Sequence, residues 1–153
     1  MIVLPLEERA VGHIAYNLRD ADRAELEATL WRFDSAALAR SAMASCIGFV
    51  AATDDGLPVA AVGAVEHWPG VLQFWMFATP LWPRVALGTT RHVLRWMRPL
   101  CWATGAHRAH AFSAAQHTEA HRWLELLGAS RETTLKAWGR GGEDFVVYTW
   151  WRG

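Results

Sequence analysis

Apolar residues crowd into three stretches near the middle of the chain, and turn signals separate them. Ile47–Ala52 is followed by Asp54, Asp55 and Gly56, a strong hairpin turn. Residues 59–65 are almost wholly apolar, which predicts a central strand covered on both faces. Trp68, Pro69 and Gly70 turn the chain again, and Val71–Ala78 predicts the next strand. Farther on, residues 108–113 form a short strand. Residues 133–138 and 145–151 make a closing hairpin around Gly139, Arg140, Gly141 and Gly142. At the front, 11–18 reads as a first short strand.

Helical spacing fills the gaps. Asp20 and Asp22 offer caps for a helix over 23–31 with Leu26 and Leu30 four apart, and Asp34 or Ser35 caps a second through Leu38 and Met43. After a loop over 79–84 with two prolines, a helix from Val85 carries Ala86, Val93 and Met97 on one side. Arg91, Arg95 and Arg98 lie on another. Pro99 lacks the N–H an inner turn needs, so a break or kink is expected near Arg98. Thr118 and Glu119 open an amphipathic helix through Trp123, Leu124 and Leu127, stopped by Gly128. The predicted order is β-α-α-β-β-β-α-β-α-β-β, in one domain over residues 1–153.

Composition refines this picture without overturning it. With 52% hydrophobic and 20% charged residues, the 153-residue chain is globular rather than disordered. Its formal net charge of +0 argues against general nucleic-acid binding. No apolar run approaches a membrane span, and the first eight residues lack the basic start of a signal peptide, so an intracellular protein is expected. Cys46 and Cys101 sit in apolar surroundings and read as two buried free thiols. Of the ten tryptophans, Trp82, Trp150 and Trp151 fall near predicted loops or the terminus, where interface and edge-strand packing are both open readings.

The charge is unevenly placed. From His67 to His117 there is no acid but five arginines, Arg84, Arg91, Arg95, Arg98 and Arg108; the ten acids before Glu119 all lie in residues 1–66. A basic stretch at a loop entering a helix predicts an anion site. The stripe of Arg91, Arg95 and Arg98 could instead meet an acidic partner, including a second copy's front third, or face solvent. His107, His110, His117 and His121 lack a third strong ligand apart from Glu119 and read as ordinary histidines, so no metal site is expected. Ser45 and Ser113 lack a nucleophile-elbow context.

Four segments, residues 17–26 (NLRDADRAEL), 55–63 (DGLPVAAVG), 74–79 (FWMFAT) and 121–128 (HRWLELLG), resemble the GNAT acyltransferase superfamily in kind and order. More closely, they are similar to a family of phage-encoded GNAT-like proteins related to the internal virion protein A of podophages. The resemblance implies an α+β fold, a mixed sheet of about seven strands flanked by about four helices. It also implies acetyl-CoA as cofactor, a virion or host-cytoplasm setting, and other virion or assembly proteins or a second copy as partners.

It further implies a pyrophosphate loop, written Gln/Arg-x-x-Gly-x-Gly/Ala, that falls on residues 83–88. Gly88 fits; Ala86 replaces a glycine, and Pro83 stands where Gln or Arg is expected, with Arg84 one place late. Ala78, Arg84, Ala86, Leu87, Gly88 and Thr89 are the cofactor-binding residues so implied. Many members carry a general-acid tyrosine four residues before the glycine that ends the late helix, and here that position is Leu124. Glu66 and His67, at the end of a central strand, are the candidate general base acting through water. Two functions follow. One is a phage or prophage virion or assembly component with degenerate acetyl transfer. The other is a working N-acetyltransferase on an unknown amine.

Overall fold

A computed structural model describes residues 1–152. Seven strands form one mixed sheet in the order β1-β2-β3-β4-β5-β7-β6. They are β1 (Ile2–Pro5), β2 (Ile47–Ala52), β3 (Pro58–Trp68), β4 (Val71–Ala78), β5 (Arg108–Ala114), β6 (Ser130–Leu135) and β7 (Phe145–Trp151). All neighbours are antiparallel except β4 and β5. The helices are α1 (Glu8–Tyr16), α2 (Asp20–Ala28), α3 (Ser35–Ala42), α4 (Ala86–His92), α5 (Arg98–Ala103) and α6 (Thr118–Leu126). No helix among the described residues is long and apolar enough to cross a membrane.

The residues read as a first strand form α1 instead. Val11, Ile14, Ala15 and Leu18 recur at helical spacing and are all buried. Alternation explains only part of that segment, whereas the helical period accounts for all four apolar positions. The true first strand is the short β1 at the sheet edge, which pairs with β2 from Ile2 opposite Ala52 to Pro5 opposite Phe49. At α3 the expected cap is present: Asp34 Oδ1 accepts from the N–H groups of Ala36 and Ala37 at 2.9 and 3.2 Å. These bonds hold the Asp34 carboxyl below its ordinary pKa.

Pro99 bends the long helix without ending it. A π turn over Val93–Met97 links α4 to α5. Pro99 cannot donate to the residue 95 carbonyl, and its ring crowds that turn, so the turn before it widens. At the end of α6, Gly128 takes φ +86°, a left-handed value that favours glycine.

Each face of the sheet has its own core. On one face, Val11, Ile14, Ala39 and Ala42 from α1 and α3 pack on Val50, Ala61 and Phe77. On the other, Val93, Met97, Cys101, Leu124 and Leu127 cover Phe49, Val62, Leu72, Phe74, Ala109, Ala111 and the inward side of β7. Cys101 is buried, and burial pushes its thiol up to about 11; Cys46, contrary to expectation, is exposed. Trp82 and Trp150 are buried in this second core, whereas Trp151 is exposed.

Gly63, in the middle of β3, lies under the Trp75 ring: a Cβ there would sit 2.5 Å from Cε2 of the indole. The Gly63→Ala variant should therefore lose about 2 kcal/mol of stability, read as a lower urea midpoint at unchanged slope. An unchanged midpoint would mean that the indole is free to move aside.

Candidate functional site

β4 and β5 are parallel neighbours that pair over three positions only, Val71 with Arg108, Leu72 with Ala109 and Gln73 with His110. Beyond Gln73 and His110 the two strands diverge, and the backbone of β4 from Phe74 onward has no strand on that side. A cavity of about 540 Å³ occupies the gap. Side chains alternate along strands, so its lining identifies both faces of the sheet. Gln73, Trp75, Phe77 and Phe112 reach it from the α1–α3 side, while Phe74, Met76, Trp123 and Leu124 reach it from the α4–α6 side.

Helix α2 straddles this gap with two carboxylates one turn apart. Asp22 Oδ2 accepts from the Ala78 N–H at 2.7 Å, at the end of β4. Glu25 Oε2 accepts from the Ala114 N–H at 2.9 Å, at the end of β5, and from Ser113 Oγ at 3.1 Å. The Arg19 N–H adds a bond to the Ala78 carbonyl at 2.9 Å. Asp22 also contacts His117 Nε2 at 2.8 Å and Arg19 Nε at 2.8 Å, and Arg19 lies 3.3 Å from Glu119. Strands that can no longer bond each other are thus bonded to side chains instead. Burial pushes the Glu25 carboxyl above its ordinary pKa, and its bonds to Ala114 and Ser113 and the nearby His117 counter that only in part.

On the far side, α6 and α4 are bridged. The Trp123 indole N–H donates to Thr90 Oγ1 at 2.9 Å, and its ring lies 5.3 Å from Trp82 and 6.0 Å from Phe74. On the near side two loops latch over the cavity. Arg140, between β6 and β7, donates through its N–H to Ala28 O at 2.8 Å, and through Nη1 to Leu30 O and Trp31 O at 3.2 and 3.1 Å. Trp138 of the same loop stacks on Phe112 with ring centres 6.1 Å apart.

The candidate residues fall in three places. Glu66 is exposed and off the cavity. His67 is on its rim, with Nε2 2.7 Å from Gln73 Oε1 and its ring 5.3 Å from that of His110. Ala78 marks the end of β4, with its N–H bonded to Asp22 of α2 and its C=O to Arg19 just before that helix. Arg84, Ala86, Leu87, Gly88 and Thr89 lie at the start of α4. There the Arg84 and Val85 N–H groups are spent on Leu81 O and Trp82 O at 2.9 and 3.0 Å, and Pro83 has none. Gly88 turns its bare Cα to Met1, whose Sδ would be 2.7 Å from a Cβ, and Thr89 Oγ1 lies 3.4 Å from the same sulfur. The close approach that this glycine permits is therefore to Met1, just before β1.

Leu124 is buried in the cavity wall. Tyr148 faces α6, and its hydroxyl donates to Glu125 Oε1 at 3.1 Å; burial and that carboxylate raise its pKa. Tyr16 is exposed. His121 Nε2 contacts Ala114 O at 2.9 Å, His107 is exposed, and His110 is buried with Nδ1 unpartnered. No group of three or more His, Cys, Asp or Glu among the described residues could hold a metal ion. Arg91, Arg95 and Arg98 are exposed. Reading the sequence alone missed Asp22 and Glu25. Their signal was position: three residues apart on α2, they fall on one side of that helix.

No protein-family model matches the sequence, and no curated protein matches it. Solved structures match it closely in shape. An acetyltransferase (GNAT family) from Bacillus anthracis aligns with TM-score 0.66 and 15% identity, over 97% of this chain and 93% of its own. Ard1 from Thermoplasma volcanium gives 0.73 and 12%, over 98% and 96%. The ribosomal-protein-S18-alanine N-acetyltransferase from Escherichia coli gives 0.69 and 17%, over 97% and 91%. The fold is that of the GNAT acetyltransferases.

Two outcomes are expected of the site. Asp22→Ala leaves the Ala78 N–H, His117 and Arg19 without their shared acceptor in a buried place, and should cost about 3 kcal/mol in chemical denaturation; a loss below about 1 kcal/mol would mean that the clamp is dispensable. The second concerns pH. Burial lowers the pKa of His110, as it does for His92 and His121, from the ordinary 6.5. Below that value the unfolded chain takes up protons that the folded chain resists, so these groups remove stability as pH falls through it. Glu25, whose pKa is raised, acts in the opposite sense above 4.5. Stability of His110→Phe should fall less than that of the parent between about pH 7.5 and 5.5, and parallel curves would contradict the assignment.

Proposed function

We propose that this chain is a GNAT-fold protein in which acetyl transfer is degenerate, serving a phage or prophage as a virion or assembly component. Its partners would be other virion or assembly proteins, or a second copy of itself. The sequence resemblance motivates the phage setting. The observation that carries this reading is that part of the gap's free backbone is already used from within. Ala78 at the end of β4 is bonded through its N–H to Asp22 of α2 and through its C=O to Arg19, just before that helix. An extended amide ligand lying in the gap would need free backbone groups of this kind to pair with.

Further support comes from the groups around the gap. The α6 side offers Leu124 and Trp123 rather than a proton donor for a departing thiolate, and the Tyr148 hydroxyl is committed to Glu125. At the start of α4, two N–H groups are consumed in tight turns and the glycine is used for packing.

A second reading, an acetyl-CoA-dependent N-acetyltransferase, is favoured by the cavity itself. A space of about 540 Å³ reached from both faces of the sheet has room for two substrates to meet. In that reading His67 is better placed than Glu66 to act as base, because it borders the cavity.

Calorimetric titration with CoA and with acetyl-CoA separates the two. No saturable heat is expected from either in the millimolar range, and no acetyl transfer to a panel of primary amines. Binding of acetyl-CoA accompanied by transfer would overturn the degenerate reading. Substituting Gly88 is a poor test, since a side chain there collides with Met1 and perturbs the fold directly. The particle role is tested separately: the protein should be found in purified particles or in assembly intermediates, and absence from both removes that part of the proposal.

A further inference from the structure

Helices α4, α5 and α6 lie on one face of the sheet and cover the same core, with Val93, Met97, Cys101, Leu124 and Leu127 turned inward. They are close neighbours. The Trp123 indole N–H donates to Thr90 Oγ1 at 2.9 Å, and Arg98 lies against Gly128, where a Cβ would stand 3.3 Å from its Nη1. The outward side of this helix layer carries two kinds of residue in excess.

The first kind is apolar. Leu87, Trp96, Leu100 and Leu126 are 63%, 63%, 54% and 65% exposed. A single exposed leucine needs no explanation, but four large apolar side chains on one helix layer do. The second kind is cationic. Arg91, Arg95, Arg98 and Arg122 are exposed, and none forms an ion pair among the described residues. A helix face that merely meets water usually mixes both signs, yet α4, the π turn and α5 contain no acid. The two acids at the ends of α6 are drawn elsewhere, Glu119 to Arg19 and Glu125 to the Tyr148 hydroxyl.

The two kinds are interleaved. Leu87, Arg91 and Arg95 follow at four-residue steps, as do Trp96 and Leu100, and Arg122 and Leu126. A nucleic acid would use the arginines and leave the leucines in water. A folded protein partner seats its anchors in pockets, whereas neighbouring helices present a ridge, and none of these outward residues lines the cavity between β4 and β5. An anionic bilayer surface takes both kinds at once. Its headgroups attract the guanidinium groups, its acyl boundary takes the leucines, and an indole sits well at headgroup level.

We propose that the outer side of α4, α5 and α6 docks on an anionic lipid surface, with the arginines on the headgroup phosphates and Leu87, Trp96, Leu100 and Leu126 entering the acyl boundary. The contact is peripheral, since no helix among the described residues is long and apolar enough to cross a membrane. It uses neither the cavity nor acetyl chemistry, so it stands whether or not the chain binds CoA or enters a particle.

The test is sedimentation of the full chain with vesicles of phosphatidylcholine alone and of phosphatidylcholine with phosphatidylglycerol at about 7:3. Half of the protein should pellet at about 1 mM accessible lipid in the anionic vesicles, with at least roughly tenfold weaker binding to phosphatidylcholine. Replacing both Arg91→Gln and Arg95→Gln should weaken binding roughly tenfold or more, and Trp96→Ser roughly tenfold. These side chains are exposed, so the variants should keep the parent's thermal midpoint, which serves as the check on folding. Failure of the parent to pellet with anionic vesicles overturns the proposal and needs no variant. Equal binding to both vesicles overturns the role of charge, and an unchanged affinity in Trp96→Ser overturns that of the apolar residues. Polyglutamate and a short DNA duplex, added at matched charge, should leave the protein on the vesicles. Release by polyglutamate would assign the surface to an acidic polypeptide, and release by DNA to a nucleic acid, and either overturns lipid docking. No CoA is present, so this proposal and the functional one fail separately.

Discussion

Everything distinctive about this molecule depends on two parallel strands parting company. β4 and β5 share three paired positions and then separate, which strands backbone N–H and C=O groups in the middle of a sheet. Buried backbone groups do not remain unpaired, so something must satisfy them. Here the answer is α2, whose Asp22 and Glu25 accept from Ala78 at the end of one strand and Ala114 at the end of the other. The helix thereby becomes a fixed part of the sheet. Its neighbours are then constrained in turn: His117 and Glu119 at the start of α6 are tied to Asp22 and Arg19.

This arrangement has a chemical consequence. A gap between strands is useful to a ligand because its backbone groups are free. In this protein part of that capacity is used internally, by Arg19 and Asp22 at Ala78 and by Glu25 at Ala114. What remains is a cavity rich in aromatic rings, with Glu25 bonded to Ser113 and Ala114 and no ion pair to it among the described residues.

The basic stripe is a separate matter. Arg91, Arg95 and Arg98 stay on the outer surface of the long helix, away from the cavity lining. Their side of the helix is decoupled from the gap because the inner side, through Val93, Met97 and Cys101, is fully used in the core. Any partner of that stripe would meet the protein from outside, as the assembly reading requires.

Periodicity along the chain was enough to determine most of the architecture. β2, β4 and β7 match the predicted residues, the Asp34 cap is where its side-chain chemistry puts it, and Gly128 ends α6 as a left-handed glycine should. These are local matters: spacing, capping and backbone freedom act within a few residues. The same local signal, read with the wrong period, misassigned α1, although Val11, Ile14, Ala15 and Leu18 carried the right one. Only tertiary structure could decide the rest. The divergence of β4 from β5 depends on how two strands thirty residues apart diverge. Nothing near Gly88 in the sequence announces that Met1 packs against it. Asp22 and Glu25 are unremarkable acids on a helix until Ala78 and Ala114 are brought to them. A hydrogen bond or an unmatched charge depends on which distant groups meet in space, and no spacing along one segment contains that information.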